Sequence, residues 1–146
     1  MKPVTVSDPR TVFASVPFTR LLGVQREFAQ DGRARFVLDS RPELGNVIGS
    51  AHGGVVFTLL DVVMASAAVS RVDFTRTAVT LNCDASFLEP GRGRLTADGE
   101  VVDHDGSVAL CRASVTDERG RLVAQALGSF RYLPFPSQDD LPGDPP

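Results

Sequence analysis

The stretch His52-Gly-Gly-Val-Val-Phe-Thr-Leu-Leu-Asp61-Val-Val-Met-Ala-Ser-Ala-Ala-Val-Ser70 decides how this chain folds. It is apolar on almost every face of a helix, which is typical of a helix buried in a core. With roughly 17 residues the run is marginal for a membrane span, and Asp61 and Thr58 interrupt it. We therefore predict a core helix from about His52 to Arg71, and no membrane contact.

Asp61 is the unusual residue of this helix. The residues one turn away, at positions 57, 58, 64 and 65, are Phe, Thr, Met and Ala, and none of them can neutralise a carboxylate. An ionised side chain in apolar surroundings is costly unless it is hydrogen-bonded, solvated through a cleft or functional. The alternative, a helix edge that faces water, fits poorly with a run that is apolar all round. We predict a buried Asp61 without a charged partner and with a role in function.

Composition limits the class of protein. The 146 residues suit a single domain, which we place at residues 1–133, and 42% hydrophobic with 23% charged residues is typical of a globular protein. A net charge of -3 gives no bulk attraction to nucleic acid. Most of the 14 arginines are interpreted as the compositional bias of an arginine-rich proteome, without a role in binding. Cys83 and Cys111 form no C-x-x-C motif, and two histidines are too few for an obvious zinc site. Since no signal pattern opens the chain, we predict a cytoplasmic protein with reduced cysteines and no metal.

Turn-forming residues divide the rest of the chain. Asp31-Gly32 predicts a hairpin, and Pro90-Gly91, Asp105-Gly106 and Arg119-Gly120 predict further turns. The predicted strands cover residues 23–29, 33–39, 75–88, 94–103, 107–116 and 121–132, with a loop over 40–51. Two short helices are predicted within about 9–22, and the proline- and aspartate-rich tail 134–146 is predicted to be disordered.

One helix and one sheet can bury each other only if the sheet wraps around the helix. We therefore predict an α+β fold in which a curved antiparallel sheet of about six strands surrounds one long central helix. Such a sheet leaves strand edges open, which favours pairing with a second copy of the chain.

The residues before the helix leave its N-terminus accessible. Helix N-termini present free N–H groups at the positive end of the dipole. Gly53 and Gly54 let a ligand carbonyl approach that backbone closely, which is the physical requirement for an oxyanion hole. Asn46 could add an amide donor, and Asp61 could deprotonate a water or attack a carbonyl.

His52 is the other candidate for chemistry at this helix start. No acid stands near it in sequence to orient the imidazole, so a structural role at the helix N-terminus is favoured over a role as base. His104 lies in a turn motif, and Ser66 and Ser70 lack a base or a sharp turn, so these three are interpreted as structural.

The combination of Asn46, His52-Gly53-Gly54 and Asp61 resembles the pattern of hotdog-fold acyl-CoA thioesterases of the PaaI type, the phenylacetic acid degradation thioesterases. Residues 78–91 are similar to the strand that follows the helix in this family, with its proline-containing turn. The resemblance covers about residues 15–133. It implies that Asp61 is the general base or nucleophile and that the Gly53 N–H is the oxyanion donor.

The resemblance also implies roles for other residues. Asn46 would position the water or the thioester, and Thr80 would help to hold the catalytic water. Gly54, Arg92 and Arg94 are candidate contacts of CoA, although a solvated turn is an equal alternative for both arginines. CoA would be part of the substrate, so no cofactor is expected.

The function implied is hydrolysis of acyl-CoA to a free acid and CoA. The family resemblance further implies a site between two subunits, in a dimer or a dimer of dimers. A non-catalytic acyl-CoA-binding or sensing protein of the same fold is the alternative, and a purely structural oligomer would leave Asp61 unexplained. The sequence leaves open whether an aryl or an aliphatic acyl group is preferred.

Overall fold

The computed structural model describes residues 16–136, and the elements in this range follow the predicted order. They are α1 (Pro17–Leu22), β1 (Gln25–Gln30), β2 (Arg33–Asp39), a 3-10 turn (Pro42–Leu44), α2 (Gly53–Arg71), β3 (Thr77–Phe87), β4 (Arg94–His104), β5 (Val108–Thr116) and β6 (Leu122–Leu133). The helix predicted over residues 9–16 lies almost entirely outside this range, as does most of the tail 134–146.

The strands form one sheet in the order β1-β2-β4-β5-β6-β3, and every neighbouring pair is antiparallel. α2 contacts all six strands, so the sheet wraps around it. The predicted architecture of about six antiparallel strands around one long helix is confirmed.

The core lies between α2 and the sheet. The helix contributes Leu59, Leu60, Val63 and Met64, all fully buried. The sheet contributes residues such as Phe130, which is also fully buried. Cys111 is buried and Cys83 half-buried, and both are free thiols. Cys111 is part of the apolar core, and this burial raises the pKa of its thiol to about 12.

A row of small residues crosses the whole sheet. Its members pair in register from strand to strand and are Ala29, Ala34, Gly99, Ala113, Ala126 and Ala85. At Gly99 the helix comes closest, because a Cβ placed there would lie 2.9 Å from the carbonyl oxygen of Val63. The helix backbone therefore lies almost directly on the backbone of β4.

Two features of β3 matter for the position of neighbouring side chains. It is an edge strand, and no strand within residues 16–136 pairs with its outer edge. It also contains a bulge between Thr80 and Asn82, where Leu81 is the extra residue and lies 49% exposed. Bulges bend a strand and change the direction of neighbouring side chains, and this one lies next to Thr80.

The prediction that α2 is buried on every face is wrong for its first half. Phe57 is 38% exposed and Asp61 and Val62 are half-buried, because the edge strand β3 leaves one side of the helix uncovered. Among residues 16–136, α2 is the one helix that is long and apolar enough to cross a membrane, with a mean hydropathy of 1.8. Since 61% of it is buried, it is a core helix, as predicted.

Candidate active site

Asp61 and Thr80 form the centre of the site. The Thr80 hydroxyl donates a hydrogen bond of 2.6 Å from Oγ1 to Asp61 Oδ1. The expectation of a buried acid is wrong in extent, because Asp61 is half-buried and lies on the side of α2 that β3 leaves uncovered. The structure thus places Thr80 beside the acid, and its expected role in holding a catalytic water stays a prediction. This pair places a carboxylate, oriented by one hydroxyl, at an accessible position.

Cys83 follows on the same side of β3. Burial raises the pKa of its thiol, and the negative charges of Asp61 and Asp84 raise it further. A thiol that resists ionisation is a poor nucleophile. Cys83 is therefore interpreted as part of the wall of the site.

The N-terminus of α2 is capped by His52. Its Nδ1 accepts a hydrogen bond of 2.9 Å from the Gly54 N–H, so His52 has the structural role that the sequence favoured. Within residues 16–136, the Gly53 N–H has no acceptor. The free N–H at the positive end of the helix dipole is therefore that of Gly53, the predicted oxyanion donor.

Asn46 shapes the loop that precedes this helix. Its Oδ1 accepts from the backbone N–H groups of Ile48 (3.1 Å) and Ser50 (3.0 Å), and its Nδ2 donates to Ser50 Oγ over 2.8 Å. An amide nitrogen carries two hydrogens, so one remains for a ligand. Asn46 therefore stabilises the loop, in addition to the role at the substrate that the resemblance implies.

A groove of about 340 Å³ lies between this loop, the start of α2 and the end of β3. Its walls are largely apolar and include Ile48, Val56, Phe87 and Leu88. Phe87 approaches the helix start, since a Cβ built on Gly53 would lie 3.9 Å from its ring. The groove brings an apolar surface to the free N–H of Gly53.

Arg92 and Arg94, the candidate CoA contacts, already have partners. Arg92 donates to the carbonyl oxygens of Gly49 (2.9 Å) and Ile48 (3.3 Å). Arg94 donates to the Asp39 carboxylate over 3.1 Å. The sequence did not indicate the contact between Arg92 and the loop, because the acceptors are backbone carbonyls that any residue carries.

Helix geometry separates the two halves of the predicted machinery. Gly53 and Asp61 are eight residues apart on α2, which corresponds to roughly 12 Å along the axis. A carbonyl bound at the Gly53 N–H is therefore out of reach of Asp61 in the same chain.

Among residues 16–136, no group of three or more His, Cys, Asp or Glu side chains could hold a metal. The absence of a metal from the chemistry stays a prediction.

Comparison with known proteins gives the class. The family model described as the thioesterase superfamily matches residues 48–124. A candidate esterase of Halobacterium salinarum is 33% identical over 123 residues, covering 77% of this chain and 82% of that protein.

Two solved structures share the fold. A thioesterase family protein from Silicibacter pomeroyi is 25% identical with a TM-score of 0.80, over 87% of this chain and 96% of its own. The PaaI protein from the phenylacetic acid degradation operon of E. coli is 23% identical with a TM-score of 0.78, over 85% and 89%. The fold is therefore the hotdog fold. The chain belongs to the thioesterase superfamily, whose general activity is the hydrolysis of thioesters.

Proposed function

We propose that this protein hydrolyses acyl-CoA thioesters to a free carboxylic acid and CoA. The observation that carries the proposal is the half-buried Asp61 carboxylate, oriented by Thr80 in a thioesterase-superfamily fold. CoA enters as part of the substrate, so the reaction needs no cofactor. The cytoplasm, where acyl-CoA is made and used, is the proposed location.

The chemistry follows from the two polar centres. Asp61 acts as general base on a water, or attacks the thioester carbonyl itself, and the Gly53 N–H stabilises the negative charge that develops on the carbonyl oxygen. With Asp61 as base, water forms the new C–O bond, the C–S bond breaks, and the proton that Asp61 took from the water passes to the leaving CoA thiolate. With Asp61 as nucleophile, the C–S bond breaks to give a mixed anhydride with Asp61, which a water hydrolyses to the free acid, and a proton from that water passes to the thiolate. The remaining Nδ2 hydrogen of Asn46 is available to the carbonyl or the water.

The complete site is proposed to need two chains. Asp61 and the Gly53 N–H are too far apart within one helix, and the outer edge of β3 is unpaired within residues 16–136. Antiparallel pairing of two β3 edges would bring the half-covered sides of two α2 helices together. Asp61 of one protomer would then face the helix N-terminus of the other. We propose a homodimer as the active unit, and a dimer of dimers as its further assembly.

The CoA portion is proposed to leave the groove near Gly54 and the turn after β3. Of the two candidate arginines, Arg94 lies on the protein surface, where its pairing with Asp39 leaves it about half exposed. A phosphate could compete for such an exposed ion pair, because exposed pairs contribute little free energy.

The test is release of free thiol from aryl, short-chain and medium-chain acyl-CoA thioesters. The Asp61→Asn variant is expected to keep its fold and to lose roughly 10²–10⁴-fold in kcat, since the base or nucleophile is gone. Asp103→Asn, an exposed acid on β4, serves as matched control and should behave as wild type. Binding of acyl-CoA without thiol release by the wild type would instead identify a binding or sensing protein. Full activity of Asp61→Asn would remove the mechanism.

A further inference from the structure

The loop that carries Asn46 is held at its tip by one side chain from another element. Val47 is fully exposed and Ile48 is 62% exposed, so the tip gains little from apolar packing. At the base of the loop, Ala51 N–H donates to Gly91 O and His52 N–H donates to Leu44 O, both over 2.8 Å. These contacts fix the base and leave the tip to other interactions.

Two kinds of interaction act at the tip. Inside the loop, Asn46 Oδ1 accepts from Ile48 and Ser50, as described above. From outside, the guanidinium of Arg92 donates to the carbonyl oxygens of Ile48 and Gly49. Within residues 16–136, no other side chain donates to these two carbonyls. The planar fork of arginine suits this geometry, because two of its N–H groups can point to neighbouring acceptors.

We infer that Arg92 is a positioning residue, which clamps the loop 46–51 so that Asn46 and the wall of the groove at Ile48 stay in place for catalysis. The inference rests on the proposed function for its kinetic part. It also gives Arg92 a task that differs from binding the phosphates of CoA. The turn after β3 and the loop before α2 act as one unit, joined at Ala51–Gly91 and at Arg92.

The two roles predict different kinetics. A clamp acts on the reacting centre, so its loss should lower kcat with every thioester. A phosphate ligand acts on the CoA tail, so its loss should raise KM for acyl-CoA and leave a thioester without phosphates unaffected. Acyl-CoA and the N-acetylcysteamine thioester of the same acid form the pair of substrates, because the second lacks the nucleotide and its phosphates.

Arg92→Ala is expected to lose on the order of 10–100-fold in kcat with both substrates, since small displacements of catalytic groups are costly. Arg92→Lys should recover only part of this, because lysine lacks the planar fork but binds phosphate well. Arg119→Ala, another exposed turn arginine, is the matched control and should be unchanged. A defect confined to KM for acyl-CoA, or full recovery by Arg92→Lys, would overturn the inference.

Hydrogen–deuterium exchange gives a measurement that does not depend on turnover. The amides of Ile48 and Ser50 are bonded inside the loop, so their exchange should accelerate in Arg92→Ala and not in Arg119→Ala. Unchanged exchange at these amides would exclude a clamp. If the wild type cleaved none of the thioesters, the proposed function would fail, while exchange would still decide whether Arg92 holds the loop.

Discussion

The hydroxyl of Thr80 does two things at the scale of a single residue. Its hydrogen points to Asp61 Oδ1 over 2.6 Å, which fixes the rotamer of the carboxylate. Its oxygen keeps lone pairs that can accept a hydrogen bond from a water. A water held in this way would lie next to Asp61, where a general base is needed.

Replacement of Thr80 by valine tests this, because valine keeps the shape and removes the hydroxyl. We expect Thr80→Val to lower kcat by roughly 10²–10³-fold with little change in KM, as for the loss of one oriented polar group. Thr80→Ser is the control and should retain most of the activity. Steady-state kinetics on one good thioester provide the measurement, and wild-type turnover by Thr80→Val would limit the residue to a structural role.

The sequence indicates candidate residues for the site more readily than it indicates their surroundings. Asp61 and Gly53 could be predicted, because an acid in an apolar run and a glycine at a helix start are local features. The hydrogen bonds of Arg92 to Gly49 and Ile48 join residues 43 and 44 positions apart, so no local sequence pattern indicates them. The exposure of Asp61 was missed for the same reason, since it depends on how far β3 covers the helix.

At the scale of elements, turns allowed the strands to be predicted to within two residues at each end. The order of the strands in the sheet could not be predicted in the same way. β3 follows the helix in the chain but lies at the far edge of the sheet, beside β6. Long-range pairing of this kind depends on which sheet edge remains free after the other strands have paired, and alternation of side chains alone does not specify it.

The row of small residues gives a prediction at this scale. Gly99→Ala adds a methyl group that would lie 2.9 Å from the Val63 carbonyl oxygen, so the helix or β4 must move. We expect a loss of about 1–3 kcal/mol in the free energy of unfolding, as for other overpacked cores. Ser114→Ala, on the sheet face away from the helix, is the control for urea unfolding. Equal stability of the two variants would show that the helix has room to move.

At the scale of the whole molecule, the proposed sharing of the site between two chains would make activity depend on association. Each dimer would hold two sites, each built from Asp61 of one protomer and Gly53 of the other. A dilute enzyme would lose activity as its dimers dissociate, although each chain kept its fold.

Complementation between two inactive variants tests the shared site. Asp61→Asn removes the acid, and Gly53→Val should block the approach of the thioester to the helix N-terminus. In a mixed dimer one site carries both changes and the other carries none, so an equal mixture that exchanges subunits should recover about a quarter of wild-type activity. Sedimentation should show dimers in all samples. Recovery of no activity in a mixture proven to contain mixed dimers would place the whole site within one chain.

The bulge in β3 has a consequence for aligning this chain with others. Before Leu81, the strand pairs Thr80 with Phe130; after it, Cys83 pairs with Gly128, and both side chains face the helix although they are three positions apart. A strand without the extra residue would set its helix-facing positions two apart. An alignment with such a relative therefore needs a gap of one position at Leu81. An ungapped alignment anchored on the second half of the strand would match the residue that touches the acid to Leu81 and would overlook Thr80.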